Sequence, residues 1–454
     1  MNTLLHRFGM LALWLGVAIA QAHAATKPNV LFLFADDMRA DAIGALGHPV
    51  VKTPTLDSLV QRGFTFHNAY CFGSNVPAVC SPSRNMLLSG RTYFRFKGQA
   101  TADQPNFAGS FKAAGYETYH HGKRGNTAIT LQKVFDHDKY LKDDQAERRS
   151  GETGKEIVDP AIEFLKTRKT DKPFCMYLAF ANPHDPKGAS EKHLMLYDRK
   201  SIPLPKNFKP FHPFNNGELL VRDEQLAPWP RSEDEVRKHL HEYYAAISGL
   251  DEQMGRLLLV LKELKLDENT LVIFSADHGL AIGSHGLFGK QNLYEHSMKA
   301  PLIFAGPGVP KGNSQAFAYL HDIFPTACDL SGIAVPGDLD GISHKPVING
   351  EKKQLRETIF TAYRDVQRSV REGDWKLIVY PKINKLQLFN LKDDPDELID
   401  LSDEPAHGEK RRVLFDRLKT QKALYSDNLP LVSDQPNKAE VDEKFFKLPP
   451  VKKK

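Results

Sequence analysis

The sequence predicts an α/β fold: a large, mixed but mostly parallel sheet between helices, with a smaller antiparallel sheet near the C terminus. Apolar runs alternate with helical patterns through the first two-thirds of the chain, as in parallel or mixed sheets covered by helices. After a Pro- and Gly-rich stretch at 335–341, short strand-like runs are separated only by turn residues. A chain of 454 residues has room for two such units.

The strands are expected where apolar residues follow one another. In the first two-thirds, the uninterrupted runs have the pattern of strands covered on both faces, and they lie at 29–34, 174–180, 271–274 and 301–304. In the last third, shorter runs predict the antiparallel sheet, at 358–362, 368–371, 375–380 and 386–390. A helix is expected after them, at 411–422.

Two helices in the first part have clear start signals. Pro54 favours the first helical position of one, and Gly63 favours its end. Ser232 and Glu235 predict a capping box at the start of a long helix whose apolar residues recur at helical spacing. Residues 186–231 lack periodicity, which predicts a long surface excursion over one edge of the sheet.

The N terminus is typical of a signal peptide. Arg7 precedes an apolar run at 10–20, and Ala22-His23-Ala24 matches a cleavage site, so we expect export to the periplasm or secretion. The run is too short to span a membrane. The net charge of +5 is too mild to indicate nucleic acid binding. The expected organisation is a signal peptide at 1–24, a larger α/β domain at 25–335 and a small α+β subdomain with a tail at 336–454.

The stretch Cys80-Ser81-Pro82-Ser83-Arg84 carries the most specific chemistry. Ser81 suits an N-cap and Pro82 the first helical position, which would place Cys80 where backbone N–H groups and the helix dipole favour an anion. Arg84 would return over the same face and could hold the Cys80 side chain and an oxyanion. For an isolated cysteine, the alternative is a small buried hydrophobe beside a solvated arginine.

Three of the predicted strands end in polar groups. In open α/β sheets, ligands bind outside the carboxyl ends of the strands, so these groups are expected at one edge if the strands are parallel. Adjacent carboxylates repel, and a bound cation relieves the repulsion; oxygen-rich sites suit Ca²⁺ or Mg²⁺ better than zinc. Alone, Asp36-Asp37 is more often a loop or a cap than a metal site, and Asp277-His278 alone is likewise more often not a ligand pair. The groups are Asp36-Asp37, Asn182-Pro183-His184 and Asp277-His278-Gly279.

Together these segments resemble the type I, formylglycine-dependent sulfatases of the alkaline phosphatase superfamily. The family signature C-x-P-S-R reads here as Cys80, Pro82, Ser83 and Arg84. The pattern is closest to bacterial carbohydrate sulfatases and iduronate-sulfatase-like proteins. Further family motifs follow in order between 28 and 310: D-D at 36–37, T-P-x-L-D at 53–57, G-K at 122–123, P-H at 183–184, D-H-G at 277–279 and H-G-x-x-x-K at 285–290.

The resemblance implies an alkaline-phosphatase-like fold and hydrolysis of a sulfate monoester, on a sulfated carbohydrate, through a formylglycine hydrate made from Cys80 by a maturation enzyme. It implies Ca²⁺, with Mg²⁺ less suited, held by Asp36, Asp37, Cys80, Asp277 and His278. The implied catalytic residues are Cys80, Arg84, Lys123, His184 and Lys290. Candidate substrate contacts are Asn126, His285, His321, Arg364, Arg368, Arg371 and Trp375, with His285 favoured as a support for Lys290.

One departure from the family pattern concerns the lysine motif. Family members often carry a histidine shortly after this lysine, whereas here Asn126 follows in Gly122-Lys123-Arg124-Gly125-Asn126. Asn126 could donate a hydrogen bond but cannot act as a base. His120 or His121 could reach in from the preceding strand instead.

Two alternatives remain open at this point. One is a phosphonate monoester or phosphodiester hydrolase of the same superfamily, and the other is a non-catalytic protein that binds sulfated glycans with an unmodified Cys80. Of the other cysteines, Cys175 and Cys328 lie in apolar runs and are expected in the core, and Cys71 has no assigned state.

Overall fold

The computed structural model describes residues 27–441 and 444–447, so the predicted signal peptide at 1–24 lies outside the described residues. The strands are β1 Asn29–Ala35, β2 Phe64–Tyr70, β3 Gly73–Ser74, β4 Glu117–Gly122, β5 His137–Tyr140, β6 Phe174–Ala179, β7 Thr270–Ala276, β8 Leu302–Ala305, β9 Gly312–Tyr319, β10 Thr358–Tyr363, β11 Gln367–Glu372, β12 Trp375–Tyr380 and β13 Lys385–Asn390. The α-helices are α1 Pro54–Arg62, α2 Cys80–Ser89, α3 Phe107–Ala113, α4 Ile129–Gln132, α5 Asp144–Arg149, α6 Lys155–Thr167, α7 Glu191–Leu194, α8 Glu233–Glu263, α9 Glu295–Met298, α10 Ile323–Leu330, α11 Lys345–Ile348 and α12 Gly408–Leu424.

Eight strands form the large sheet in the order β5-β4-β6-β1-β7-β8-β2-β9. β1 pairs in parallel with β6 on one side and with β7 on the other, and β8 alone runs antiparallel to its neighbours. The predicted fold class, a mostly parallel sheet between helices, is confirmed.

Both faces of the large sheet are covered, which explains the uninterrupted apolar runs. In β1, Phe32 and Phe34 point into one core, and Leu31 and Leu33 point into the other. The second core also contains residues of α1, α6 and α8. A strand buried on both faces therefore needs apolar residues at every position.

The small sheet has the order β13-β12-β11-β10-β3, and its first four strands are antiparallel. Its fifth strand comes from the first part of the chain, because Gly73 and Ser74 pair in parallel with Ala362 and Tyr363. Gly73 has a φ of +113°, and a Cβ at this position would lie 1.9 Å from the Ala362 carbonyl oxygen. Glycine is therefore required where the two parts of the chain meet.

Two of the predicted helix starts need correction. Val79, and not Ser81, occupies the N-cap position of α2, so Cys80 is the first helical residue. The hydroxyl of Ser81 instead donates to the Thr127 carbonyl at 3.4 Å. At α8, only half of the capping box is present: the Ser232 hydroxyl accepts from the backbone amide of Glu235 at 3.2 Å.

The prediction that residues 186–231 form a surface excursion is only partly right. Asp223, Glu224 and Arg231 in this stretch are buried, with exposures of 1–4%. Arg231 pairs with Glu224 at 2.6 Å, and the Glu224 carboxylate accepts from the amide of Gly289 at 2.8 Å. The excursion therefore packs against the loop that leads to Lys290.

The helices of the described residues include none that combines the length and apolar character needed to cross a membrane.

Candidate active site

Polar residues from several loops meet at one edge of the large sheet. β6, β1 and β7 lie side by side and are parallel, so the loops that follow them start at the same edge. The start of α2 brings a thiol to these loops. Two groups of ligand atoms, each within 4.8 Å of one another, share this thiol: Asp36, Asp37, Cys80 and His184 in one, and Cys80, Asp277 and His278 in the other.

The carboxylates and the imidazole surround the thiol closely. Sγ of Cys80 lies 3.4 Å from Oδ1 of Asp36 and 3.3 Å from Nε2 of His278. The backbone amide of Asp37 donates to Oδ1 of Asp277 at 3.0 Å, which fixes these two loops to each other. Asp37 has a φ of +64°, in the left-handed region that residues other than Gly seldom adopt. The amide that donates to Asp277 belongs to this residue.

Two lysines reach into this cluster. Nζ of Lys290 lies 2.7 Å and 2.9 Å from the two carboxylate oxygens of Asp37, and 3.4 Å from Sγ of Cys80. Nζ of Lys123 donates to the carboxylate of Asp36. Both lysines are at least 97% buried, so their charges act in a poorly screened environment.

The Arg84 guanidinium is fully buried and only partly satisfied. Its Nε donates to Oδ2 of Asp277 at 3.2 Å, and its Nη2 lies 3.6 Å from Oδ2 of Asp36. Within the described residues, Nη1 and Nη2 have no hydrogen-bond partner. Buried donors without a partner cost free energy, and a guanidinium matches the oxygens of an oxyanion well. Arg84 therefore offers an anion-binding position inside the cluster.

The two adjacent carboxylates have different pKa values. Burial would raise the pKa of Asp36, but Lys123 and Arg84 hold it well below its usual range. At Asp37, burial outweighs the effect of Lys290 and raises the pKa above its ordinary value. A cation bound between the two carboxylates would favour the ionised form of both.

Burial also shifts the pKa values of the cysteine thiols. It raises the pKa of Cys80 well above its ordinary value, although Lys123 and Lys290 act in the opposite direction. The unmodified thiol is therefore protonated at neutral pH and a weak nucleophile. Burial raises the pKa of Cys71 to about 12, and Cys175 and Cys328 lie in the core as expected.

His184 lies beside the cluster with one ring nitrogen held in place. Its Nδ1 is 2.7 Å from the Asp185 carbonyl oxygen and 3.0 Å from Nη1 of Arg148. Its Nε2 lies 3.7 Å from Oδ2 of Asp37. Burial, followed by the charge of Lys290, lowers the pKa of His184 well below its ordinary value, so the free site holds a neutral ring.

The donor set of the cluster fits a hard divalent cation. The side chains of Asp36, Asp37 and Asp277 are fully buried, and they contribute carboxylate oxygens to the two ligand groups that share Cys80. Oxygen ligands of this kind suit Ca²⁺ or Mg²⁺. Asn182, whose carbonyl accepts from the Asp36 amide at 3.0 Å, has a buried side-chain amide with no hydrogen-bond partner in the described part of the chain. Such an orphaned polar group fits a site that holds an ion and its water.

Sequence reasoning missed several residues at the rim of the cluster. Oδ2 of Asp223 lies 3.9 Å from Nζ of Lys290 and accepts from Nε2 of Gln291 at 2.7 Å. Nη2 of Arg222 lies 3.1 Å from Oδ1 of Asp185. Arg222 and Asp223 come from the aperiodic stretch at 186–231, whose length was the one signal that could have pointed to them.

His285 does not contact the cluster. Its Nε2 lies 2.9 Å from the Glu397 carbonyl oxygen, and its Nδ1 lies 3.3 Å from Nε2 of His296. Its ring stacks on Tyr294 with centroids 3.9 Å apart. Both ring nitrogens are therefore engaged away from the acid cluster, which fits a support for the loop of Lys290.

Two of the expected substrate contacts are buried elsewhere. His321 is 1% exposed and stacks on Tyr319, with ring centroids 4.8 Å apart. Arg368 is 3% exposed, and its Nε donates to Oδ2 of Asp427 at 2.6 Å. The structure does not bring either residue to the site, because an aromatic core holds one and a buried ion pair holds the other.

Three further residues expected to contact the substrate lie in different parts of the structure. Nη1 of Arg371 lies 3.1 Å from Oε2 of Glu295, in a network between the two sheets. Trp375 lies at the far end of the small sheet, under the ammonium of Lys410. Asn126 is exposed and has a φ of +52°.

Neither histidine of β4 fills the place of the missing family histidine. Nδ1 of His120 lies 3.0 Å from Oδ1 of Asp138, and its ring packs against Tyr177. Burial lowers the pKa of His121 to about 4, and its Nδ1 has no hydrogen-bond partner among the described residues. No contact between either ring and Cys80 occurs in the described residues.

Comparison with known proteins gives matches over nearly the whole chain. The family model described as "Sulfatase" matches residues 28–333, and the model described as "N-sulphoglucosamine sulphohydrolase, C-terminal" matches residues 283–423. An N-acetylglucosamine-6-O-sulfatase of Bacteroides thetaiotaomicron is 28% identical, over 90% of this chain and 89% of its own length. A choline-sulfatase of Rhizobium meliloti is 29% identical, over 84% and 83% of the two chains.

Solved structures agree on the fold. A protein in complex with its substrate D-glucosamine-2-N,6-O-disulfate superposes with a TM-score of 0.76 at 25% identity, covering 89% of this chain and 99% of its own. A phosphonate monoester hydrolase of Agrobacterium radiobacter has a TM-score of 0.75 at 21% identity, covering 88% and 96%. The second likeness concerns the fold alone.

Proposed function

The chain belongs to the sulfatase family and is a sulfuric ester hydrolase, and we propose that it releases sulfate from a sulfated carbohydrate at the Cys80 cluster. The observation that carries this proposal is the Arg84 guanidinium, buried with two unused nitrogen donors between the carboxylates of Asp36 and Asp277. A sulfate ester is a singly charged oxyanion of the right size for such donors.

Fixed positive charge is what the reaction needs most. Hydrolysis of a sulfate ester concentrates negative charge on the sulfate oxygens and on the leaving oxygen, and groups held in place to meet that charge usually make the largest contribution to catalysis. We assign this role to Arg84, Lys123 and Lys290. In the free site the two lysines neutralise Asp36 and Asp37, so the substrate would compete for ammonium groups already held near Cys80.

The proposal includes two groups at the site, a bound Ca²⁺ ion and a formylglycine at position 80. Ca²⁺, held by Asp36, Asp37, Asp277 and His278 and by residue 80, would polarise the sulfate and neutralise its charge. Formylglycine at position 80 would supply, as its hydrate, a hydroxyl nucleophile that the protonated thiol cannot provide. Lys290, 3.4 Å from Sγ of Cys80, is placed to favour the ionised form of an oxygen at that position.

We assign proton donation to His184. An alkoxide is a poor leaving group, so the departing oxygen needs a proton. Arg148 and the Asp185 carbonyl hold Nδ1 of His184, which leaves Nε2 to face the substrate. Because burial favours the neutral ring, His184 must take up its proton together with the anionic substrate, whose charge favours the imidazolium.

A carbohydrate substrate is supported by the names of relatives. Besides the N-acetylglucosamine-6-O-sulfatase, a delta 4,5-hexuronate-2-O-sulfatase of Bacteroides thetaiotaomicron is 27% identical, over 90% of this chain and 93% of its own. We further propose that residues 25–335 form the catalytic domain, that residues 336–454 form a subdomain beside the site, and that a formylglycine-generating enzyme matures the protein during export to the periplasm or beyond.

The test combines chemistry at residue 80 with a substrate panel. Mass spectrometry of the peptide that contains residue 80, from protein made in its native host, should find formylglycine. The same protein should release free sulfate from at least one sulfated sugar of a panel. Cys80→Ala should abolish turnover and keep the thermal unfolding transition, whereas Cys328→Ala, which removes a buried core cysteine, should retain turnover.

Three results would contradict the proposal. An ordinary thiol at residue 80 in active protein would exclude formylglycine. Turnover of aryl sulfate with no release from any sulfated sugar would exclude the carbohydrate substrate. A higher kcat/KM for phosphonate monoesters or phosphodiesters than for sulfate esters would favour the phosphorus chemistry left open by the sequence.

A further inference from the structure

The loop that carries Lys290 has an unfavourable backbone. It runs from Ala281 to Lys290, and we call it the Lys290 loop. Ile282 and His285 adopt φ values of +43° and +55°, in the left-handed region that residues other than Gly seldom occupy. A β-branched residue such as isoleucine is especially disfavoured there. A backbone of this kind persists only where the surrounding structure holds it, and such segments are concentrated at functional sites.

Backbone hydrogen bonds fold the Lys290 loop back on itself. The amide of Ala281 donates to the Gly289 carbonyl at 3.0 Å, and the amide of Gly283 donates to the Leu287 carbonyl at 2.7 Å. The amides of Phe288 and Gly289 make no hydrogen bond to another residue of this described segment. Buried amides need acceptors, so these two must find them elsewhere in the molecule.

One buried carboxylate accepts from both of these amides. Oε2 of Glu224 accepts from the amide of Phe288 at 2.9 Å, and Oε1 accepts from the amide of Gly289 at 2.8 Å. Glu224 is 2% exposed. Because Gly289 directly precedes Lys290, Glu224 fixes the backbone from which the Lys290 side chain reaches the cluster.

Arg231 ties the Glu224 carboxylate to the tip of the loop. Its Nη2 donates to Oε2 of Glu224 at 2.6 Å, and its Nε donates to the Gly286 carbonyl at 3.2 Å. The guanidinium carbon lies 3.4 Å from the centroid of the Trp229 ring and 4.8 Å from that of Phe288. Two aromatic rings therefore cover this ion pair, and its charges are poorly screened.

The residue before Glu224 acts on the side chain of Lys290. Asp223 and Glu224 both belong to the short 3-10 helix Arg222–Leu226. Oδ2 of Asp223 lies 3.9 Å from Nζ of Lys290 and accepts from Nε2 of Gln291 at 2.7 Å. Two neighbouring carboxylates thus contact the backbone before Lys290, the ammonium of Lys290 and the side chain after it.

We propose that Glu224 is a positioning residue for sulfate ester hydrolysis and that it acts by holding the Lys290 ammonium at the cluster. This inference rests on the proposed function, in which Lys290 supplies fixed positive charge. Such a group is effective because it is in place before charge develops, so a small displacement of Lys290 slows the reaction. Within the described residues, Glu224 makes no hydrogen bond or ion pair with Asp37 or Cys80, and its effect must pass through Lys290.

The test is a double-mutant cycle on the mature enzyme, with 4-nitrophenyl sulfate as the substrate. Glu224→Gln keeps the shape of the side chain but offers one amide oxygen in place of two carboxylate oxygens. We expect it to lower kcat/KM by about 10- to 100-fold. In the Lys290→Met background the same change should alter kcat/KM by less than about two-fold, because the group that Glu224 holds is gone. An unchanged kcat/KM in Glu224→Gln, or an equal loss in both backgrounds, would overturn the inference.

Gly289→Ala disturbs the same contact without removing the charge that pairs with Arg231. A Cβ at this position would lie 3.0 Å from Oε1 of Glu224 and 2.4 Å from Oε1 of Gln291, so both side chains must shift. This variant should also lower kcat/KM when Lys290 is present and have little effect in the Lys290→Met background. It decides the question if Glu224→Gln does not fold, and a loss of the same size in both backgrounds would again count against the inference.

The matched control is Asp427→Asn. Asp427 is another buried carboxylate, which pairs with Arg368 at 2.6 Å and accepts from the amide of Leu429 at 3.1 Å, in the small sheet and the tail after α12. Its replacement should lower the melting temperature, since it too leaves a buried arginine without its partner. It should leave kcat/KM within about two-fold of the wild-type value.

Crystal structures of the wild type and of Glu224→Gln separate this inference from the proposed function. In the variant, Nζ of Lys290 should move away from the Asp37 carboxylate oxygens, which it contacts at 2.7 Å and 2.9 Å in the wild type. An unmoved Lys290 would contradict the positioning role even if the wild type hydrolyses sulfate esters. Absence of sulfate release by the mature wild type, with Lys290 displaced in the variant, would instead contradict the proposed function alone.

Discussion

Nζ of Lys290 lies 2.7 Å and 2.9 Å from the two carboxylate oxygens of Asp37, and both side chains are buried. The Lys290 ammonium thus neutralises one carboxylate of the cluster, that of Asp37. A bound divalent cation would supply positive charge to all the carboxylates of the cluster. Removing one partner of a buried pair leaves the other charge uncompensated, which typically costs about 3–5 kcal/mol.

Lys290→Met should therefore make the stability of the protein depend more strongly on Ca²⁺. With a chelator present, we expect the variant to lose about 3 kcal/mol, because Asp37 keeps no ammonium partner. Added Ca²⁺ should raise the melting temperature of the variant more than that of the wild type. Thermal unfolding with a chelator and with Ca²⁺ measures both effects.

The control for this prediction is Lys376→Met. Lys376 is also buried and pairs with Glu295 at 2.9 Å and with Glu397 at 2.8 Å, in the network between the two sheets. Its loss should lower stability without any recovery specific to Ca²⁺. If Ca²⁺ shifts the wild type and Lys290→Met equally, the carboxylate cluster does not bind the ion in the way proposed.

His184→Ala should slow substrates according to their leaving group. A sugar alkoxide needs a proton as it departs, so we expect a loss of about 10²- to 10⁴-fold in kcat for a sulfated sugar. An aryl sulfate with an acidic phenol needs little assistance and should lose much less. Steady-state rates on a series of aryl and alkyl sulfates measure the dependence on leaving-group pKa.

Arg148→Met serves as a companion variant for this prediction. Nη1 of Arg148 lies 3.0 Å from Nδ1 of His184, so the variant disturbs the position of the ring and keeps the imidazole. It should reduce rates for the same poor leaving groups by a smaller factor. Equal slowing of aryl and alkyl sulfates by His184→Ala would show that this histidine is not the proton donor.

The convergence of the acidic loops could be predicted because local patterns and sheet topology suffice for it. Apolar runs identified β1, β6 and β7, and parallel strands bring the residues after them to one edge, where Asp36 and Asp277 now lie close to Cys80. The residues that the loops carry could thus be placed together without knowledge of any long-range contact.

Contacts between residues that are far apart in the sequence could not be predicted in the same way. β3 has two residues, too few for a periodic pattern, and its pairing with β10 joins positions about 290 residues apart. Arg148 and Asp223 come from segments whose charged residues resemble solvated ones in sequence. Arg368 was expected to contact the substrate, and only the fold reveals its buried partner Asp427.

Lys187→Met should stabilise the protein. Among the lysines described as buried, Lys187 is the one for which no ion pair or hydrogen bond occurs in the described residues, and it is 7% exposed. Burial lowers its pKa, although Asp185 and Asp37 act in the opposite direction, so the folded state disfavours the ammonium at neutral pH. A methionine of similar shape removes this cost, and we expect a gain of about 1 kcal/mol in the free energy of unfolding.

Chemical denaturation at pH 7 measures this gain, and Lys192→Met is the control. Lys192 is 68% exposed and pairs with Glu252 at 2.6 Å, so its replacement should change stability by less than about 0.5 kcal/mol. The gain at Lys187 should shrink as the pH approaches the ordinary pKa of lysine, because the folded and unfolded states then both lose the charge. A loss of stability in Lys187→Met at pH 7 would mean that the carboxylates nearby stabilise the ammonium after all.

Asp251→Asn should change the pH dependence of stability in a defined direction. Asp251 lies on α8 and accepts from the amides of Thr55 and Leu56 at 2.9 Å and 2.8 Å, at the start of α1. Burial raises its pKa to about 6, although these hydrogen bonds act in the opposite direction. Between pH 4 and 6 the folded state therefore holds more of this proton than the unfolded state does, and the contribution of Asp251 to stability falls as the pH rises.

The quantity to measure is the free energy of unfolding of the wild type minus that of Asp251→Asn, by denaturant unfolding from pH 4 to pH 7. This difference should decrease by about 2–3 kcal/mol across the window, since one pKa unit corresponds to about 1.4 kcal/mol. Asp103→Asn is the control: a hydrogen bond from Thr101 lowers the pKa of the exposed Asp103, so its contribution is lost only as the pH falls below the ordinary pKa of aspartate and should change little from pH 4 to pH 7. A wild-type minus Asp251→Asn difference that grows from pH 4 to 6 would mean that the two amides outweigh burial at this carboxylate, and that the cap joining α8 to α1 is strongest in its ionised form.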